Sequence, residues 1–262
     1  MSSSAASPLS LDELRARFSP KAAIEGLHGS GSGLAGLAGL EGRARAKSLP
    51  LGLASVDGAL PDGGLPRGAV IEVTSPRGLG RATSFTLRAV ASAQRGRVAD
   101  EGAGWGDAAA WCAWIDPFGT LYAPAAAAAG VELSRLLVVR PRVEDALRAA
   151  VRVASSRAFA LVVLDLAPLP GLGERVGASG RRSLVPAPNV VRRLALAIEG
   201  SPRSVVLLTD ASERARVFMP PLPVALRLEL DRTAREGSSV RVAKERRGRV
   251  GASVFVPVSE SA

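Results

Sequence analysis

The residues best suited to chemistry lie in SPRGLGRAT, residues 75–83, where a proline, two glycines, two arginines and two hydroxyls fall close together. Residues 69–74 before it form a short apolar, β-branched run. Residues 83–94 after it place apolar side chains at helical spacing, so the order is strand, tight loop, helix. A loop of that shape aims backbone N–H groups and a helix N-terminus at phosphate. The natural comparison is G-x-x-x-x-G-K-[ST], in which backbone N–H groups cradle the phosphates, the lysine reaches them and the hydroxyl binds magnesium. Aligned on Gly80, with Gly78 inside the loop, Ser75 stands for the first glycine, Arg81 for the lysine and Ala82 for the hydroxyl. The planar guanidinium of arginine prefers forked anionic partners where lysine acts as a compact point charge. Ala82 offers a metal no oxygen, with Thr83 next door as a partial substitute. A plain strand-loop-helix connection without a ligand is the alternative reading of these residues.

Other chemistries are excluded by what the chain lacks. Cys112 is the only cysteine, so no internal disulfide forms. His28 is the only histidine and sits in a Gly-rich stretch. A Ser-His-Asp triad or a His/Cys zinc centre would depend on it, so neither is expected and no metal site is assigned. The 34 Lys and Arg against 24 Asp and Glu leave a net charge of +10, which favours an anionic partner. No apolar run reaches the roughly 18 residues of a membrane span. The N-terminus has neither the basic start nor the apolar middle of a secretory signal. A soluble, cytoplasmic protein with no membrane partner is the expectation.

The elements that must hold the loop follow from periodicity. Ser10 caps a short helix with Glu13 at the capping-box position and Pro20 closing it, which defines an N-terminal helix within residues 1–20. Residues 21–48 are a Gly/Ser-rich linker, 49–258 the core domain and 259–262 a tail. In the core, a short helix is predicted at residues 54–60. Buried strands are predicted to end at Asp116 and Asp165, and two more lie in LSRLLVVRP and SVVLLTD. Amphipathic helices VEDALRAAVRVASSR and VVRRLALAIEG fall between them. Apolar strands alternating with helices predict an α/β fold with a mostly parallel sheet covered on both faces. After SVVLLTD the texture changes. PVALRLEL, SSVRVAKER and ASVFVPV alternate in polarity and read as antiparallel strands appended to one edge.

Taken in this order the residues resemble the RecA core, over residues 49–258. The likeness is carried by LGLASVDGALPDGGLPRGAVIEVTSPRGLGRAT, by WIDPFGTLYAPAAAAAGV, by LVVLDL and by the terminal strands. Within that superfamily WIDPFGTLYAPAAAAAGVELSRLLVV, and RLELDR followed by the basic RVAKERRGR, resemble the ImuA group of accessory proteins of bacterial damage-induced mutagenesis. The resemblance implies a RecA-like, mostly parallel central sheet flanked by helices, with C-terminal antiparallel hairpins. An ATPase of this kind needs a loop lysine and hydroxyl, a carboxylate base, an aspartate at the end of a buried strand and a polar sensor. Here Arg81 and Ala82 replace the first two, and Phe118 stands two residues after Asp116, where the base is expected. Asp210 matches the sensor, Asp165 remains at the metal-facing strand end, and Tyr122 lies where the family stacks an aromatic on adenine. The alternatives are loop capping for Asp165 and ordinary packing for Tyr122. Loss of a general base costs about 10² to 10⁴ in rate, so no catalytic residue is assigned and ATP hydrolysis is not expected. No resident cofactor is implied, although weak ATP binding by this loop with Asp165 and Tyr122 stays open.

The resemblance also places two DNA-contacting loops. One falls at residues 171–188 with Arg175, Arg181 and Arg182, and the other at residues 211–221 with Arg214, Arg216 and Phe218. Guanidiniums beside an aromatic suit a single strand, and a solvated loop is the alternative. The densest basic stretch carries Arg241, Lys244, Arg246, Arg247 and Arg249. It suits DNA, an acidic protein surface, or simple protection of a sheet edge. The implied function is that of a non-catalytic accessory protein of DNA-damage-induced (SOS) translesion synthesis, associated with the nucleoid. It would link RecA and single-stranded DNA to an ImuB-like inactive Y-family polymerase and an error-prone replicative-type DNA polymerase. The competing reading is a DNA-dependent ATPase or recombinase mediator with a degenerate loop.

Overall fold

A computed structural model describes residues 48–76, 81–95, 110–167, 188–211, 222–232, 237–246 and 250–257. The predicted N-terminal helix, residues 21–47 of the predicted linker and the tail at residues 259–262 lie outside the described residues, while Ser48, assigned to the linker, is part of a strand. The described chain opens with β1 (Ser48–Leu49), α1 (Ala54–Ala59) and β2 (Leu65–Pro66). It continues with β3 (Val70–Ser75), α2 (Arg81–Arg95), β4 (Cys112–Ile115), α3 (Ala123–Ala128) and β5 (Leu136–Val139). Then come α4 (Ala146–Ser155), β6 (Leu161–Asp165), α5 (Pro188–Ile198) and β7 (Ser204–Asp210). The last three strands are β8 (Leu226–Arg232), β9 (Gly237–Glu245) and β10 (Ser253–Pro257).

The main sheet has the order β10-β9-β8-β3-β7-β6-β4-β5. From β5 to β8 every neighbouring pair is parallel, and β8–β9 and β9–β10 are antiparallel. The mostly parallel α/β fold with an antiparallel C-terminal end is therefore the observed one. One detail differs from the sequence reading. The first of the late strands, β8, pairs in parallel with β3 through Ile71 and Leu226. It thereby continues the parallel sheet, and the antiparallel extension starts one strand later. A second feature was not anticipated. β1 and β2 form a separate two-stranded ribbon, and Gly64 is what allows it, since a Cβ there would stand 2.5 Å from the Leu49 carbonyl oxygen.

Side chains alternate between two apolar layers, as a sheet covered on both faces requires. Ile71, Val73, Trp114, Leu161 and Val206 face α2, whose Phe85, Leu87, Ala89 and Val90 are buried against them. Val70, Ala113, Ile115, Val162 and Leu207 face α4 and α5, through Ala146, Ala150 and Ala154 on one helix and Val191, Leu194 and Ile198 on the other. The small alanines at four-residue spacing on α4 let that helix lie close to the strands. Ahead of β3, Asp57 accepts the backbone N–H groups of Leu51 at 2.9 Å and Gly52 at 3.0 Å, so its carboxylate folds the approach segment.

One charge interrupts the apolar layers. Glu72, in the middle of β3, is 1% exposed. It accepts Nε of Arg227 from β8 at 2.7 Å and Oγ1 of Thr209 from β7 at 2.9 Å. Three neighbouring strands are thus tied by one carboxylate. The pairing with Glu72, ahead of the opposing cost of burial, raises the Arg227 guanidinium above its usual range. Removing one partner of such a pair strands a buried charge, whereas replacing both with apolar groups is often neutral. Arg227→Ala is expected to lower unfolding free energy by roughly 3–5 kcal/mol. A Glu72→Leu, Arg227→Leu double replacement should lose much less in the same denaturant titration.

Candidate functional site

The carboxyl ends of β3, β4, β6 and β7 bring Ser75, Asp116, Asp165 and Asp210 to one edge of the sheet, where the first turn of α2 begins. Ser75 and Asp210 are opposite each other in register. Gly78 and Gly80 lie outside the described residues, and so do Arg175, Arg181, Arg182, Arg214, Arg216, Phe218, Arg247 and Arg249. Ala82 is buried at 5% exposure and Thr83 is partly buried in the first turn of α2.

Arg81 opens α2 and does something the sequence reading did not anticipate. Its Nη1 donates to Oγ of Ser238 at 2.7 Å. Ser238 is the second residue of β9 and is buried at 4% exposure. The guanidinium at the position of the phosphate lysine is therefore engaged by the C-terminal extension. Gly237, beside it, is overlaid by the ring of Phe255 from β10, and a Cβ there would meet Phe255 Cζ at 2.3 Å. This contact had no signal in the sequence, because Arg81 and Ser238 are 157 residues apart.

Asp116 is fully buried and already occupied. It accepts the N–H of Thr120 at 2.9 Å and that of Leu121 at 3.2 Å, and it pairs with Nε of Arg140 at 3.4 Å. Its role is to fold the turn that carries Phe118, and Phe118 is partly buried in that turn. Asp165 is 3% exposed and accepts the N–H of Ala167 at 3.1 Å, a loop-capping contact. Burial pushes its carboxyl up to about 7 against the opposing Ala167 N–H, with a lesser upward push from the charge of Asp116 and a lesser downward one from the Thr120 hydroxyl. Among the described residues no cluster of three or more His, Cys, Asp or Glu is placed to hold a metal ion. Burial pushes the Cys112 thiol up to about 12, which removes it as a nucleophile.

Tyr122 stands just ahead of α3 and is 67% exposed, so the packing alternative is wrong for it. The turn set by Asp116 carries it outward. The basic residues of β9 are spread along the strand. Arg241 is paired with Glu229 across β8–β9, Lys244 donates to the Leu222 carbonyl at 2.9 Å, and Arg246 is exposed. Arg246 lines a groove of about 420 Å³ with Arg67, Gly68 and Pro202, at the end of the strands opposite Arg81.

This arrangement of sheet and flanking helices defines a RecA-type α/β domain. The crystal structure of the RadB recombinase superposes with a TM-score of 0.58 over 81% of this chain and 97% of that one, at 16% identity. In sequence, the RecA N-terminal domain family matches residues 21–172, and the chain belongs to that family. Protein RecA of Acidothermus cellulolyticus is 32% identical over 204 residues, covering 75% of this chain and 54% of the relative. Protein RecA of Amycolatopsis mediterranei is 37% identical over 160 residues, covering 60% and 41%. The chain thus spans about half the length of the curated relatives it matches.

The raised Asp165 carboxyl has a consequence for stability. A folded pKa above the unfolded value means that the penalty is absent at acid pH and grows as pH rises from about 4 to about 7. Melting temperatures should therefore carry a downward component across that window. Asp165→Asn is expected to remove it and to lie above the wild type at pH 8. A wild-type and variant difference that does not change with pH would contradict this assignment.

Proposed function

We propose that this protein is a non-catalytic accessory member of the RecA family in DNA-damage-induced translesion synthesis. In this role it joins recombinase on single-stranded DNA to an error-prone polymerase assembly that includes an inactive Y-family relative. The observation that carries the reading is the engagement of Arg81 by Ser238. The side chain that a hydrolytic loop would direct at phosphate instead fastens α2 to β9. Three further features support it. Phe118 stands where a carboxylate base would be needed, and Asp116 is spent on its own turn. Asp165 is buried and caps its own loop by accepting the N–H of Ala167. The resemblance of WIDPFGTLYAPAAAAAGVELSRLLVV and RVAKERRGR to the ImuA group supplies the damage-response context and the partners.

Phosphate release is the direct test. With ATP, Mg²⁺ and single-stranded DNA, the protein is expected to release no phosphate above background, and Asp165→Ala is expected to change nothing. DNA-stimulated release that disappears in Asp165→Ala would establish an ATPase instead. Co-purification from damaged cells of the recombinase and an error-prone polymerase with the wild-type chain is the companion expectation.

A further inference from the structure

The helices α4 and α5 lie side by side on one face of the sheet, each burying one apolar stripe. The opposite faces carry Arg148 and Arg152 on α4, and Arg192 and Arg193 on α5, all exposed. Both helices run antiparallel to the strands they connect, so they are parallel to each other. Arg148 and Arg152 are about 6 Å apart along the axis, and packed helices are about 8–10 Å apart. The arginines therefore form one compact field. Arg148 pairs with Asp145 at 3.1 Å. Among the described residues, Arg152, Arg192 and Arg193 have no ion-pair partner. Arg157, one residue past the C-cap of α4, holds φ at 54°, and it is the one non-glycine residue with positive φ among the described residues. Glycine would be cheaper there, yet the position adds another exposed guanidinium to the end of the same helix.

We infer that this α4–α5 face is a contact surface for the phosphate backbone of duplex DNA, read without sequence. The chemistry of the face decides between the polyanions that would fit it. An acidic protein partner would need an apolar centre inside the charged rim, and among the described residues Leu196 is the one large exposed apolar side chain on these two helices. A single strand would add base stacking on aromatics, and α4 and α5 contain no aromatic residue. What remains is dense guanidinium without stacking platforms, the composition suited to phosphate contact. Glu144 and Glu199 are the exposed carboxylates flanking the field, so positive charge prevails. This surface is distinct from the carboxyl edge of the sheet, and the inference is independent of whether ATP turns over.

The test titrates a fluorescent, mixed-sequence DNA duplex with the full chain across a range of NaCl concentrations. A triple variant, Arg152→Ala with Arg192→Ala and Arg193→Ala, is compared with a charge-matched control, Arg95→Ala with Arg142→Ala and Arg232→Ala. All six side chains are exposed, and unchanged melting temperatures confirm that both variants fold. The expected result is an affinity at least roughly tenfold lower for the first variant and a log–log salt slope shallower by about three units, at about 0.9 per phosphate contact. The control should lose much less. Equal losses in the two variants would reduce the effect to net charge and overturn the assignment. So would an absence of duplex binding by the wild type, or competition by polyglutamate as strong as by DNA of equal charge, which would point to an acidic protein.

Discussion

The buried carboxylate of Glu72 constrains more of this molecule than any other single group. It sits in the central strand β3 with β7 on one side and β8 on the other, and it is satisfied only when both neighbours deliver their partners, Thr209 and Arg227. A charge at that depth is costly when alone. Alternative registers of β8 against β3 would leave it alone, so the pair discriminates against slipped sheets as well as holding the correct one. The parallel core and the antiparallel extension are joined across this point, and Glu229 with Arg241 continues the polar link one strand further.

The extension in turn shapes the carboxyl edge. Ser238 is available to Arg81 because β9 folds back from β8 at the end of the sheet where α2 begins. A domain whose loop cation is held from the side has an edge that is organised by its own strands. In the proposed role this matters, because such an edge keeps its form without a nucleotide to order it. Asp116 contributes to the same economy, since its carboxylate supports the turn beneath Tyr122 and Phe118 with two backbone hydrogen bonds.

Much of this was legible in the sequence. Continuous apolar runs ending in Asp116 and Asp165 place those residues at the ends of buried parallel strands, and the helix periods of α4 and α5 mark their buried stripes. Local patterns carry such information because they are enforced by burial on one element at a time. What escaped depends on pairing between distant segments. The parallel docking of β8 on β3 has the same alternating signature as an antiparallel strand, and no local residue reveals that Arg81 meets Ser238. Glu72 did leave a trace, an acid inside an apolar run, but its partner lies 155 residues away. The outward direction of Tyr122 escaped for a related reason, because the turn set by Asp116 fixes it.

The strand order carries a temporal consequence. The partners of strand β3 come far later in the chain, Val70 pairing with Val205 and Ile71 with Leu226, so both its flanks stay open until those segments are made. Closing contacts of such sequence separation is slow, and open strand flanks are sites of mispairing during synthesis. The nascent polypeptide therefore passes through a period in which a fully buried strand, with an acid at its centre, has nothing to pair with. In that interval Glu72 is a safeguard, since a carboxylate in the middle of an unpaired strand opposes its association with other chains.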